Sequence, residues 1–323
     1  MTSRSDHLAG RRVLVVGGRG FVGAHLVRSL VGAGADVHVF GPAMDADRSD
    51  ALPASVGETI GSVTDAEALA RALAESAATE VVSCAGYGAG RLGLMRSGEA
   101  DRDAAMTVNV LGHARLLEAA QAAGVRRLVW TSSTVVYGPA ALYGRGRVDE
   151  SAAREPDTFY GLTKSLAEDL SAFHARAGRM SVVGLRLPLV LGPGLWYAGA
   201  AASLAELLAA AGERRAYRLA FHDEPIDLAH VADVADAALS ALRHDGPLAH
   251  TYNLEGFTAR ASELVADVRA LAPGSEATFE NAGPPALLFP LVSGERFRRD
   301  TGFEARHDRA GFVRAMLSGD ITP

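Results

Sequence analysis

Lysine and cysteine are almost missing from this chain: each occurs once, as Lys164 and Cys84. A single cysteine forms no internal disulfide. Cys84 lies in the apolar run Val81-Val82-Ser83-Cys84-Ala85, which points to a buried, inert thiol rather than a nucleophile. Of the 32 basic residues, all but Lys164 are arginine. A lone lysine in such a background suggests a task that a planar guanidinium cannot perform, because the ammonium is compact and its pKa tunable. Excess positive charge is also lacking. The net charge of −6 excludes a molecule built to hold nucleic acid or an anionic membrane surface. Arg296, Arg298 and Arg299 are mixed with acids and read as solvated faces. No run reaches about 18 apolar residues, so no membrane span is expected. Met1 to Arg12 is polar and has no apolar signal core, which makes the cytoplasm the expected location. There is no internal repeat and no low-complexity linker. Without a His-Glu-x-x-His, a Cys-x-x-Cys or a carboxylate cluster, no metal is expected.

What is present is an alternation. Val13-Leu14-Val15-Val16 reads as a buried strand and Phe21 to Leu30 as a helix. Strands follow at 36–40, 80–85, 128–131 and 181–187, with helices at 65–77, 101–122 and 158–177 between them. This rhythm predicts an α/β fold, a doubly wound parallel sheet of Rossmann type. After Pro188 the rhythm weakens. A helix is expected from about Ala198 to Ala211, and 256–323 reads as helix-rich with breaks at Pro273, Pro284-Pro285 and Pro290. The expected division is a dinucleotide-binding domain of 1–187 and 226–254, and a smaller substrate-binding lobe of 188–225 and 255–323. The stretch from His230 to Leu242 is expected to return to the first domain.

Gly17-Gly18-Arg19-Gly20-Phe21-Val22-Gly23 separates the first strand from the first helix. Glycines at 17, 20 and 23 allow a tight turn, a close approach of backbone to pyrophosphate, and close packing of helix on strand. The helix N-terminus then offers free N–H groups to the phosphates. In this strand-to-helix context the pattern signals a dinucleotide. The acid that grips ribose hydroxyls should end the second strand, but Gly41 stands there. Arg19 could instead reach a 2′-phosphate. NADP is therefore expected, with NAD as the alternative. The expected cofactor contacts are Gly17, Arg19, Gly20, Phe21, Val22, Gly23, Ala85, Asn109 and Lys164.

Tyr160 and Lys164 are spaced to share one face at the start of a helix, and Ser133 ends the fourth expected strand. Hydride delivery to a carbonyl creates an alkoxide that needs a proton. In the reverse direction a free tyrosine, with a pKa of about 10, is a poor base near neutrality, and a nearby ammonium plus the cationic oxidised nicotinamide would favour phenolate and lower that value. The Ser133 hydroxyl can donate to the developing oxyanion.

Together with Asn109-Val110-Leu111-Gly112, Tyr137-Gly138, Arg186 before Gly192-Pro193, and His230-Val231-Ala232-Asp233-Val234, these residues resemble the extended short-chain dehydrogenase/reductase family, the NAD-dependent epimerase/dehydratase group. The resemblance covers nearly the whole chain. It implies that Tyr160 is the proton donor or acceptor, that Ser133 holds the substrate oxygen and that Lys164 binds the nicotinamide ribose. It also implies a homodimer through the helices near 101–122 and 158–177.

Departures from the family bear on the substrate. Thr134 and Val135 stand where dehydratases carry Asp-Glu, which argues against loss of water. Leu189 and Ile226 replace an Asn and an Arg that nucleotide-sugar members use on the diphosphate. A less charged small-molecule alcohol or ketone is expected. Tyr87, Arg91, Thr134, Trp196 and His222 are candidate substrate contacts, with Tyr197 beside them. Two rival readings remain: epimerisation of a sugar or nucleotide sugar, with cofactor reduced and reoxidised in one turnover, and a non-enzymatic cofactor sensor. The Tyr160–Lys164 pair argues against the sensor.

Overall fold

The computed structural model describes residues 8–44, 52–199 and 202–318. Strand β1 (Arg12–Val16) leads through the glycines into helix α1 (Phe21–Gly32), followed by β2 (Asp36–Gly41), β3 (Gly57–Ile60), α2 (Ala66–Ser76) and β4 (Glu80–Ser83). Short helices α3 (Leu94–Ala100) and α4 (Arg102–Met106) come next. α4 runs through a π turn (Thr107–Leu111) into α5 (Gly112–Ala122). Then come β5 (Arg127–Ser133), α6 (Phe159–Arg176) and β6 (Ser181–Leu187). The remainder supplies β7 (Leu189–Leu191), α7 (Ala202–Gly212), β8 (Tyr217–Phe221), β9 (Ile226–His230), α8 (Val231–Arg243), β10 (Thr251–Asn253), β11 (Phe257–Ala259), α9 (Ala261–Leu271), β12 (Ala277–Asn281), α10 (Glu295–Thr301) and α11 (Arg309–Ser318).

Seven parallel strands form the main sheet in the order β10-β6-β5-β4-β1-β2-β3, the doubly wound order expected. Its inner strands are apolar on both faces, as a sheet covered twice requires. Val13 and Val15 pack with Leu26, Leu30, Val234 and Leu239 of α1 and α8. The alternate residues Leu14 and Val16 pack with Leu69, Leu73, Leu116 and Leu117 of α2 and α5. A separate apolar cluster joins Leu204, Leu207 and Leu208 of α7 to Leu264, Val265, Phe312 and Val313 of α9 and α11. Two small sheets, β11-β9-β7 and β12-β8, accompany that cluster. After β9, α8 crosses back to pack on α1, as expected of 230–242. No helix among the described residues is long and apolar enough to cross a membrane.

Two features differ from expectation. The edge strand β3 was not foreseen. Its sequence, Gly-Glu-Thr-Ile, has too little apolar character to announce a strand; its one buried residue is Thr59, whose hydroxyl lies 2.8 Å from His38 Nε2. The region 256–323 is also less purely helical than its composition suggested, since β11 pairs antiparallel with β9 and β12 parallel with β8.

The glycine turn fixes how close α1 comes to β1. A Cβ on Gly23 would lie 2.1 Å from the Gly17 carbonyl oxygen, whereas one on Gly32, at the far end of α1, would have no atom within 4 Å. Gly23→Ala should therefore lower stability by about 1–3 kcal/mol, the usual cost of overpacking. Gly32→Ala should raise it by about 0.5–1 kcal/mol through helix propensity. Denaturant melts of the two variants check the opposite signs.

Candidate active site

Apart from Arg19, the glycine turn is a cradle without side chains. Gly17 has φ +80°, a value that suits glycine, and a Cβ there would lie 3.2 Å from the Cys84 carbonyl carbon. Gly20 caps α1 with no side-chain hydrogen bond, and the first turn of α1 contains no acid. Its free N–H groups and positive dipole end suit a pyrophosphate. Sequence reading missed how tightly Gly18 is held: a Cβ there would meet Val39 at 2.7 Å. Phe21 is buried and its ring stands edge-on to Tyr197 at 6.2 Å, while Val22 packs against the core under α1. Arg19 does not stand alone. Its Nε and Nη2 donate to the two carboxylate oxygens of Glu58 on β3, the latter over 2.6 Å. This pairing holds the Glu58 carboxyl below the usual range. Glu58 lies beside Val39 in the β2–β3 register, 39 residues from Arg19, and nothing in the local sequence marked it.

Ser133, Tyr160 and Lys164 come together where β5 ends against the first turns of α6. Thr158 caps α6 by accepting the Gly161 N–H over 3.0 Å. Gly161 is required there, because a Cβ would lie 2.3 Å from the Val135 carbonyl oxygen in the turn that follows Ser133. Ser133 caps that short 3-10 turn, its hydroxyl accepting from the Val135 N–H at 3.4 Å. Lys164 Nζ donates to the Thr131 carbonyl over 2.7 Å and lies 5.7 Å from the centre of the Tyr160 ring. Asn109, in the π turn, ties two parts of the site together. Its Nδ2 donates to Thr163 Oγ1 over 3.0 Å and its Oδ1 accepts the Tyr87 N–H over 2.8 Å. Ala85, Asn109 and Lys164 line one small cavity with Ser83, His113 and Trp130.

The remaining candidates divide. The loop carrying Tyr87 and Arg91 is strapped to the segment carrying Trp196. Arg91 Nε donates to the Trp196 carbonyl over 3.2 Å, and the Arg91 carbonyl accepts the Ala198 N–H over 2.7 Å. Tyr197, in that segment, lies close enough to Tyr160 to influence its ionisation. Thr134 is buried directly after Ser133. His222 is not gathered in: its ring stacks on Phe221 and its Nδ1 accepts the Glu224 N–H, both on the β8 side of the molecule.

Beneath the site runs a buried polar network that sequence reading did not identify. Glu168, one turn beyond Lys164 on α6, accepts from Ser132 Oγ over 2.6 Å and from Arg186 Nε and Nη2 over 2.8 and 2.7 Å. Arg186 Nη1 also donates to the Tyr137 hydroxyl over 2.6 Å. Ser132 is adjacent to Ser133, so the network fixes the strand end that carries it.

A family model described as NAD dependent epimerase/dehydratase family matches residues 13–254. The chain belongs to this family. A UDP-glucose 4-epimerase of Azospirillum brasilense is 28% identical to it over 96% of the chain and 92% of that relative. A 3 beta-hydroxysteroid dehydrogenase/Delta 5-->4-isomerase of Mycobacterium tuberculosis is 29% identical over 95% of the chain and 79% of that relative. The crystal structure of Thermus thermophilus UDP-glucose 4-epimerase with NAD superposes with a TM-score of 0.80 at 24% identity, covering 95% of this chain and 98% of that one, and so shares the fold. This epimerase/dehydratase family member is a nicotinamide-dependent enzyme of oxidoreductase or epimerase type, as the sequence led us to expect.

Burial dominates the electrostatics of the family member's site in the protein alone. Burial pushes the Tyr160 phenol up, and the nearby Tyr197 adds to the shift, while Lys164 does not offset it. Burial also lowers the Lys164 ammonium to about 8. By these shifts the Tyr160 hydroxyl keeps its proton beside a weakened cation. Because the folded pKa of Tyr160 exceeds that of a free phenol, its proton is retained as pH rises through about 10. Ultraviolet phenolate titration of cofactor-free wild type and Tyr160→Phe should give matching curves below that pH. Phenolate present there in wild type and missing in the variant would contradict the arrangement.

Proposed function

We propose that the enzyme transfers hydride between NADP(H) and a secondary alcohol or ketone of a small, weakly charged molecule. What supports this reading is Lys164, anchored on the Thr131 carbonyl and 5.7 Å from the Tyr160 ring, with Ser133 ending β5, glycines opening α1 and no carboxylate at positions 134 and 135. The nicotinamide, when bound, supplies or accepts the hydride. Tyr160 gives its proton to the substrate oxygen as that oxygen gains charge, or takes it in the reverse direction. Ser133 donates a hydrogen bond to the same oxygen. Lys164, already anchored on the Thr131 carbonyl, has donors left for the ribose hydroxyls. Leu189 and Ile226 offer no polar grip for a sugar diphosphate, which supports a less charged substrate. Epimerisation of a sugar remains the second reading, favoured by the similarity to UDP-glucose 4-epimerases. Net change in nicotinamide absorbance across a substrate panel separates the two, since an epimerase forms product with no net change.

The proposal extends to organisation. Residues 1–187 and 226–254 would bind the dinucleotide, and 188–225 and 255–323 the substrate, with β9 bridging the two. A homodimer would cover Leu111, Leu162 and Phe173, which are 52%, 40% and 64% exposed. Leu162 and Phe173 lie three turns apart on one face of α6, a helix that the family resemblance implies in dimer formation. The reducing cytoplasm is the proposed setting for a chain whose one thiol, Cys84, is pushed up to about 12 by burial.

Preference for NADP rests on Gly41 and Arg19, and Glu58 works against it by occupying the Arg19 fork. Glu58→Gln would remove that competing charge. Calorimetric titration should show NADPH affinity rising about tenfold, the worth of one charge-assisted hydrogen bond, with NADH affinity little changed. A parallel gain for both cofactors, or none, would show that Arg19 does not meet a 2′-phosphate.

The proton role of Tyr160 is tested by Tyr160→Phe, which keeps the ring. A positioned general acid is worth roughly 10²–10⁴-fold, so kcat should fall by that factor while cofactor affinity holds. Lys164→Arg should instead weaken cofactor binding, because the wider fork does not fit the compact ammonium's place. Retention of more than about a tenth of kcat in Tyr160→Phe, above what loss of a general acid permits, would assign the proton to another group.

A further inference from the structure

Away from the catalytic residues, the N-terminal end of α8, the segment around Arg306 and the last turns of α11 enclose a cavity of about 290 Å³. His230, Ala232, Arg306, His307, Arg314 and Ser318 contribute to its wall, and no lining residue is a carboxylate. His230 caps α8: its Nδ1 accepts the Ala232 N–H over 3.2 Å. That bond places the proton of the neutral ring on Nε2. The residue is 3% exposed, yet Nε2 has no hydrogen-bond partner among the described residues. Burial and the neighbouring His307 lower its pKa to about 4, so the ring is neutral at physiological pH and presents an unsatisfied N–H donor.

The charges around this donor favour an anion. Asp233, which acts on His230, and Asp236 both sit on α8 and both are engaged. Asp233 accepts the Arg306 and His307 backbone N–H groups over 3.1 and 3.3 Å and has His307 Nδ1 at 2.9 Å. Asp236 holds Arg306 Nη2 at 2.6 Å. At the start of α11, Arg309 is paired with Asp267 and Glu263 of α9. Arg314 is exposed and has no ion-pair partner among the described residues. A helix N-terminus, a buried N–H donor and a guanidinium without an ion-pair partner among the described residues thus meet in one cavity.

We propose that this cavity is a binding site for a small tetrahedral oxyanion of phosphate type, separate from the cofactor turn. The probe is inorganic phosphate, titrated by calorimetry into enzyme saturated with NADPH, with sodium chloride keeping the ionic strength constant. Wild type should bind one phosphate per chain saturably. His230→Asn keeps a good helix cap but removes the Nε2 donor. Arg314→Gln removes the free charge from an exposed position. Each should weaken phosphate binding roughly tenfold or more without altering NADPH affinity. The Arg314 variant decides the matter if the His230 variant fails to fold. Absence of saturable binding would overturn the proposal, as would binding unchanged in Arg314→Gln. Phosphate that binds only when NADPH is omitted would belong to the glycine turn, and acetate binding more tightly than phosphate would refute the ligand class.

Discussion

The buried ion pair between Glu168 and Arg186 holds the site's three supporting elements in register. Glu168 belongs to α6, Arg186 to β6, and Ser132, which shares the carboxylate, to β5. Both charged side chains are nearly inaccessible, so either one left alone would face a desolvation cost of several kcal/mol. The pair therefore tolerates little relative sliding of helix and strands. Lys164 lies one turn before Glu168, and Ser133 follows Ser132 directly. The same constraint that closes the ion pair thus sets the helix bearing Tyr160 and Lys164 against the strand end bearing Ser133.

The network extends outward from this pair. The Tyr137 hydroxyl accepts from Arg186 and lies within reach of Asn253 Oδ1 on β10 and the Asp149 carbonyl. Arg154 reaches Glu168 from the loop before α6 at 3.2 Å. The hydrogen bonds leave most polar atoms of the network satisfied, which is the condition under which buried polarity specifies one arrangement instead of weakening the core. On the other side of α6, Asn109 links Thr163 to the Tyr87 loop. The candidate active site is thus braced from beneath and from one flank by side chains that need never touch a substrate.

Much of this was legible in the residues because it is local. Val13 to Val16 and Val81-Val82 announce buried strands. The glycine turn and the Tyr160–Lys164 spacing are complete within a few residues. What escaped was long-range pairing. Glu58 meets Arg19 across 39 residues, and its strand has too few apolar positions to be recognised alone. Arg186 was noticed only as part of a motif, since its partner Glu168 looks like any helical acid. The effect of burial on Tyr160 escaped for a similar reason. Proximity to Lys164 is visible in spacing, whereas burial, which governs the shift, emerges only when Tyr197 and the second segment close over the helix.

The solitary Lys164 gives the molecule an unusual spectroscopic property. Its ε-amine is the chain's one side-chain primary amine, and burial lowers its pKa to about 8. Amines react with electrophiles in the unprotonated form, so at mildly alkaline pH this buried amine is also chemically primed. Reductive methylation with isotopically labelled formaldehyde would place one side-chain methyl resonance in the interior of the site. Its chemical shift would follow the pocket's protonation and occupancy without any engineered label.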